Sequence, residues 1–375
     1  MAGLAAAVVA LVAIGCAPGP DTPTTSANAY EQDMRVEVQW RVGLATDRAW
    51  EIDPRELGRP IPASRGDLVV GASNGWVYRI DAHNGEIQWA TPVGGSIDAA
   101  VRVVDNVAYV GTDTGDLVAL DWREGSEQWR YETRSSVESR PTVEDGRVFV
   151  TDATDTLYGI DAVTGELLWD VQYESPEFFT IKGGGEPMVD DEVVYTGFST
   201  GELVAMYADT GEEIWSVHLG DETGEFGDVD LPLIDRGDQV IATSHAGGVF
   251  AVEKASGALL WHHDVSDVAG IDFQQGWLFA TTSTGQVFAL DTREGEVGWA
   301  FELPEDRSGT DVGVVGPMVG VATARGPLYW LDLTSGQPMA KWAPSTGFQS
   351  APVVSDDLAY VMSNRGYLYG IGVAL

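Results

Sequence analysis

Residues 75–89 read GWVYRIDAHNGEIQW: a glycine, a short apolar run, an acidic residue, a second glycine and a tryptophan. The phrase returns as GDLVALDWREGSEQW (115–129), DTLYGIDAVTGELLW (155–169), GELVAMYADTGEEIW (201–215), GGVFAVEKASGALLW (247–261), GQVFALDTREGEVGW (285–299) and GPLYWLDLTSGQPMA (326–340). An eighth copy is split. GYLYGIGVAL runs to Leu375, and its tryptophan stands near the other end of the chain, in VEVQW at Trp40. A repeat of roughly forty residues that exchanges one strand between its ends is the linear form of a closed ring.

Each copy reads as strand, turn, strand, turn. Val69 and Val70, then Val77, Tyr78 and Ile80, then Ile87 and Trp89 are short β-rich runs. Ser73-Asn74-Gly75 and His83-Asn84-Gly85 between them are hairpin turns whose glycines supply the positive φ a tight turn needs. A further strand precedes each phrase, as in PTVEDGRVFVTD (141–152), with its own turn at Glu144-Asp145-Gly146. Four antiparallel strands per repeat make one propeller blade, so the expected fold is all-β: an eight-bladed β-propeller of four-stranded blades. Pairing Val36–Val42 with the last strands would close the ring and remove its raw edges.

Tryptophans at 40, 89, 129, 169, 215, 261 and 299 close the outer strands. A four-stranded blade cannot bury both faces alone, so these are read as apolar plates wedged between blades rather than as a ligand-stacking row. The seventh copy has Ala340 in that place; Trp342, two residues on and on the same strand face, is the expected substitute. Residues 45–64, with three prolines, read as a surface excursion.

The unbroken repeat makes one large domain, 36–375, out of most of the 375 residues. Net charge is −37, and only Lys182, Lys254 and Lys341 are lysines. Such a surface excludes nucleic acid as a natural partner, because phosphate binding needs a basic footprint. The acidity fits a solvated surface and equally a saline habitat.

Residues 1–15, MAGLAAAVVALVAIG, are apolar and uncharged, too short to span a bilayer comfortably, and read as a secretory signal. They run into Cys16, the only cysteine, so no disulfide can form within the chain. Cysteine after Ala13-Ile14-Gly15 looks like a bacterial lipobox, in which Cys16 would carry lipid and become the mature N-terminus; an ordinary cleavable signal is the alternative. No Lys or Arg precedes the apolar run, which departs from the usual signal. Residues 16–35 then read as the lipidated cysteine and a flexible, proline- and threonine-rich tether.

Enzyme signatures are missing. The five histidines are scattered, with no cysteines to join them at metal spacing. There is no G-x-S-x-G and no P-loop; Gly183-Gly184-Gly185 lacks the Lys-Ser/Thr of a phosphate cradle. With 58 carboxylates, chance pairs are expected and none stands out. No catalytic residue, metal or cofactor is assigned. The repeat resembles that of quinoprotein dehydrogenases, which bind pyrroloquinoline quinone over the channel with a vicinal disulfide; one cysteine rules the disulfide out.

Among non-enzymatic propellers, the chain resembles the B lipoproteins of the outer-membrane β-barrel assembly machinery (BAM) from Cys16 onward. Three non-repeat segments carry the resemblance: FFTIKGGGEP (178–187), GDVDLPLI (227–234) and STGFQSAPVV (345–354). The resemblance implies that the first two lie on neighbouring loops and bind a periplasmic POTRA domain of the barrel-inserting subunit. The family's apolar, apolar, basic positions are Phe179, Ile181 and Lys182, and its acidic pair is Asp228 and Asp230. The residues alone leave two readings open. Phe179 and Ile181 alternate in an extended segment, either as an exposed anchor beside a cation or as side chains buried at the blade edge. Asp228 and Asp230 could equally cap a turn.

The resemblance implies an outer-membrane lipoprotein facing the periplasm, with Ala17 rather than an inner-membrane-retention aspartate after Cys16. It would be a scaffold that binds the barrel-assembly subunit and helps nascent outer-membrane proteins, with strand-edge pairing as a plausible mode. The other reading is a secreted or surface-anchored propeller that binds a small ligand or carbohydrate, or a quinoprotein relic. A ring of polar residues at the channel mouth would favour that one.

Overall fold

The computed structural model describes residues 24–26, 35–45, 55–64, 66–173, 184–220, 227–304, 307–344, 346–355 and 357–374. Eight sheets, each built on four antiparallel strands, form the eight blades, and in seven of them those four strands follow one another in the chain. Blade 3 is typical: Thr142–Glu144, Arg147–Thr151, Thr156–Asp161 and Leu167–Gln172, from channel to rim. Numbered from the chain's first complete blade, blade 1 begins at Ile61–Ser64 and blade 8 at Val353–Ser355. No helix among the described residues is long and apolar enough to cross a membrane.

Blade 8 takes its rim strand from the opposite end of the chain. Arg35–Gly43 pairs antiparallel with Tyr367–Ala374, and Trp40 sits opposite Gly370 just after a bulge. The bulge recurs before Trp129 opposite Ala119 and at Trp169 opposite Gly159, so the split blade keeps the register of the continuous ones.

Each plate has two contacts that explain the phrase. The indole Nε1 of Trp40, Trp89, Trp129, Trp169, Trp215, Trp261 and Trp299 donates to a backbone carbonyl of the following blade over 2.8–3.2 Å. The ring also lies against that blade's turn glycine. A Cβ on Gly85, Gly125, Gly165, Gly211, Gly257, Gly295 or Gly336 would fall 2.4–2.8 Å from the preceding blade's tryptophan. These glycines hold φ between 66° and 76°, so conformation and close approach both demand the residue.

The seventh repeat solves its missing tryptophan differently from the expected substitute. Across the strand pair from Ala340 stands Trp330, fully buried, where the other blades carry Ala, Gly or, in blade 1, Arg79. Large and small have exchanged places, and the volume between blades 7 and 8 is conserved. Among the described residues Trp330 Nε1 has no hydrogen-bond partner. The rim strand of blade 8 arrives from residues 35–43, so no turn from its third strand lies beside the indole. Trp342 packs edge-on against Tyr369 of blade 8 at 5.1 Å, a contact additional to Trp330.

Two further expectations need correction. Part of the supposed surface excursion is structural: Ile61–Ser64 is the channel strand of blade 1, paired with Asp67–Gly71, and Glu56 is 1% exposed. Pro60 and Pro62 hid this strand from a propensity reading, yet prolines are tolerated on an edge strand, whose free side needs no donor. Within the segment read as a tether, Thr24–Ser26 pairs in parallel with Ala300–Glu302, giving blade 6 a fifth strand. The rim strand of any blade offers unpaired backbone groups for such an addition.

Burial raises the hydroxyl pKa of Tyr109, Tyr131, Tyr158, Tyr173 and Tyr195 above the ordinary 10.0. Lys254, between Asp190 and Asp235 at 2.6 and 2.7 Å, is also raised: burial lowers it, but the two carboxylates outweigh burial. A raised folded pKa gives stability that is complete below the unfolded value and lost as pH climbs through the folded one. The urea midpoint is therefore expected to hold from pH 8 to 9 and to fall steadily above about pH 10. A flat profile to pH 11.5 would contradict the assignment.

Candidate functional site

Phe179, Ile181 and Lys182 lie outside the described residues, as does Cys16. The structure does show how the ends of the first connection are held and how the second packs on it. Tyr173, the last described residue before the gap, stacks on buried Phe198 of blade 4 at 4.3 Å and 19°. On the far side, Gly185 N donates to Gly197 O at 2.9 Å, and Thr151 Oγ1 donates to the carbonyls of Gly184 and Gly185.

The second connection lies directly on this anchor. Val229 N donates to Phe198 O at 3.1 Å. A Cβ on Gly185 would stand 2.9 Å from Val229 O, and one on Gly197 would stand 2.2 Å from it. This close approach is what Gly185 of GGGEP and Gly197 of the blade 4 strand permit. His245 N and Ser244 Oγ hold the carbonyls of Asp228 and Gly227 at 3.0 Å each. Residues 184–187 and 227–231 thus meet backbone to backbone on Phe198.

The acidic pair is divided. Asp228 is 2% exposed, inside the seam between blades 4 and 5, whereas Asp230 is half-buried at the mouth of the channel. Glycine-rich wording alone could not separate the two, because the turn decides which side chain faces in.

One residue of this region escaped the sequence reading. The third phrase alone starts with aspartate, and Asp155 is fully buried at φ 56°, where its seven counterparts are glycine. Its carboxylate accepts from Ser199 N at 3.0 Å and from Ser199 Oγ. In blades 2, 3 and 5 to 8 the matching turn amide donates to a carbonyl of the connection before it, as Ala153 N does to Ser136 O. In blade 4 the Asp155 side chain takes that role, and its two hydrogen bonds offset the unfavourable backbone conformation. In blade 1, Glu56 does the same for Ser73. An aspartate at a glycine position was the visible signal.

All eight blades contribute to a cavity of 510 Å³ at this end of the channel. Its charged lining comprises Arg59, Asp98, Glu138, Arg140, Glu186, Asp230, Asp272 and Asp311. Arg140 Nε donates to Glu186 at 2.8 Å, and Arg59 stands 3.5 Å from Asp311. Burial pushes the Asp311 carboxyl up from the usual carboxylate range, opposed by Arg59 and by the amides of Ala351 and Val312. Asp272 accepts from the amides of Phe273 and Val314. Among the described residues no group of three or more His, Cys, Asp or Glu could hold a metal ion.

The family described as outer membrane protein assembly factor BamB matches residues 73–301 and 285–373. The BamB of Shewanella oneidensis is 24% identical over 318 residues, covering 83% of this chain and 70% of that protein. The crystal structure of BamB from Moraxella catarrhalis superposes with a TM-score of 0.77 at 21% identity, over 90% of this chain and all of that one. The quinohemoprotein alcohol dehydrogenase of Comamonas testosteroni shares the ring, with a TM-score of 0.72 at 16% identity over 90% and 76% of the two chains.

Proposed function

We propose, from the premise that the chain belongs to the outer membrane protein assembly factor BamB family, that it is a non-enzymatic scaffold of the barrel-assembly machinery. The observation that carries this reading is the family match across the propeller, residues 73–373. Lipid on Cys16 would hold the ring at the periplasmic face of the outer membrane. The connection bearing Phe179, Ile181 and Lys182, with Asp230 and the buried Asp228 beside it, would receive a POTRA domain of the barrel-inserting subunit. Nascent outer-membrane proteins would be assisted without covalent chemistry.

The packing of the two connections on Phe198 supports this proposal, since a docking surface needs loops fixed by a rigid frame. The net charge of −37 keeps the body off anionic lipid, so acyl chains must supply the membrane affinity. Purification of the tagged protein from its own membranes in mild detergent should bring down the barrel-inserting subunit. Cys16→Ser should move the protein to the soluble or precursor fraction. Recovery without that subunit would overturn the partner, and a serine variant that still sediments with outer membranes would overturn the anchor.

A further inference from the structure

Three adjacent blades carry an apolar belt on their outer side. Val163 and Leu168 of blade 3, Tyr207 and Ile214 of blade 4, and Leu259 and Leu260 of blade 5 are all exposed, Val163 by 81% and Leu259 by 53%. Each lies at the turn into a rim strand or in the first two residues of that strand. The plates join them around the ring. Trp129 donates to Ala162 O, Trp169 to Ala208 O and Trp215 to Lys254 O, so each rim strand lies against the next blade's turn. The repeat does not require these side chains. At the positions of Val163 and Leu168, blade 2 has Arg123 and Gln128 and blade 6 has Arg293 and Gly298, and Tyr207 stands where the phrase has its acidic residue. An exposed apolar run that packing does not call for marks a surface that meets a partner.

Charge narrows the partner. Glu166, Asp209 and Glu212 are exposed among the apolar side chains and form no ion pair among the described residues. The cations of the corresponding turns are already taken, Lys254 by Asp190 and Asp235 and Arg293 by Asp291. A second copy of this chain, at net charge −37, or an anionic lipid surface would meet like charge at the belt. A polypeptide with apolar and basic side chains meets complementary charge instead.

The same rims offer backbone. Among the described residues Leu167–Gln172, Glu213–His218 and Leu259–His263 each end their sheet, which leaves one side of the strand without a ladder. In blade 6 a rim of this kind takes a strand, Thr24–Ser26. An extended segment paired in this way turns alternate side chains to one face, so apolar and basic residues in alternation can meet the leucines and the carboxylates.

We propose that the rims of blades 3 to 5 receive an extended, unfolded polypeptide segment in which apolar and basic residues alternate. This rests on the scaffold reading for its client, and the two fail separately: recovery without the barrel-inserting subunit tests the reading, and peptide binding tests the rims. The probe is a short labelled peptide of alternating valine and lysine, followed by fluorescence anisotropy with the full chain in mild detergent. It is expected to bind saturably and roughly tenfold or more tighter than a peptide of alternating serine and lysine, while one of valine and glutamate does not bind. Leu168→Ser with Leu260→Ser should weaken the valine–lysine peptide roughly tenfold or more at an unchanged unfolding temperature, because both side chains are exposed. Glu166→Gln with Glu212→Gln should weaken it chiefly at low salt. Equal binding of the serine–lysine peptide, or undiminished binding by either double variant, would overturn the proposal. Leucine variants that unfold early would show those side chains to be structural, and a dimer of the Cys16→Ser chain that the serine pair abolishes would give the belt to a second copy; either result overturns it too.

Discussion

Trp330→Ala is expected to lower the unfolding free energy by about 3–5 kcal/mol, the usual cost of emptying a fully buried indole site. Ala340 opposite, itself 3% exposed, is too small to fill it. Trp330→Phe should cost much less: it keeps most of the plate and removes an indole N–H that has no partner among the described residues. Ala340→Trp alone should also destabilise, by about 1–3 kcal/mol, because the space it would enter is taken. The double variant, Trp330→Ala with Ala340→Trp, recreates the arrangement of the other blades and should recover part of the loss. Urea unfolding of the four proteins gives the coupling directly. Strictly additive effects would mean that the two positions do not share one volume.

Replacing Phe179 and Ile181 together by alanine is expected to weaken binding of the isolated POTRA domain by roughly thirtyfold or more. One truncated interface anchor typically costs about 2 kcal/mol, and each 1.4 kcal/mol is about tenfold. The fold should be nearly untouched, because the frame that holds this connection is made by Tyr173, Phe198, Gly184 and Gly185. Lys182→Glu should weaken binding chiefly at low salt, since an exposed charge at the rim of an interface is screened. Undiminished affinity with an intact fold would reject the surface. Loss of the fold would instead assign Phe179 and Ile181 to the blade edge, the other reading of the same residues.

The sequence carried what each blade needs for itself. Alternation gave the strands, the two glycines gave the turns, and the period with its split last copy gave the ring and its closing strand, down to the pairing of Val36–Val42. These requirements are local and are met eight times over, so they leave a repeating mark. The tertiary structure decided what one blade needs from another. Trp330 stands in for the missing plate because cross-strand neighbours share one volume, and nothing in GPLYWLDLTSGQPMA says which of the two must be large. Asp155 occupies a glycine position because its acceptor role is required 44 residues away, at Ser199. Asp228 faces in while Asp230 reaches the mouth, because the second connection is fixed by backbone contacts to Gly185, Gly197 and Phe198. Contacts of that kind join residues far apart in sequence, each made once, so no periodicity records them.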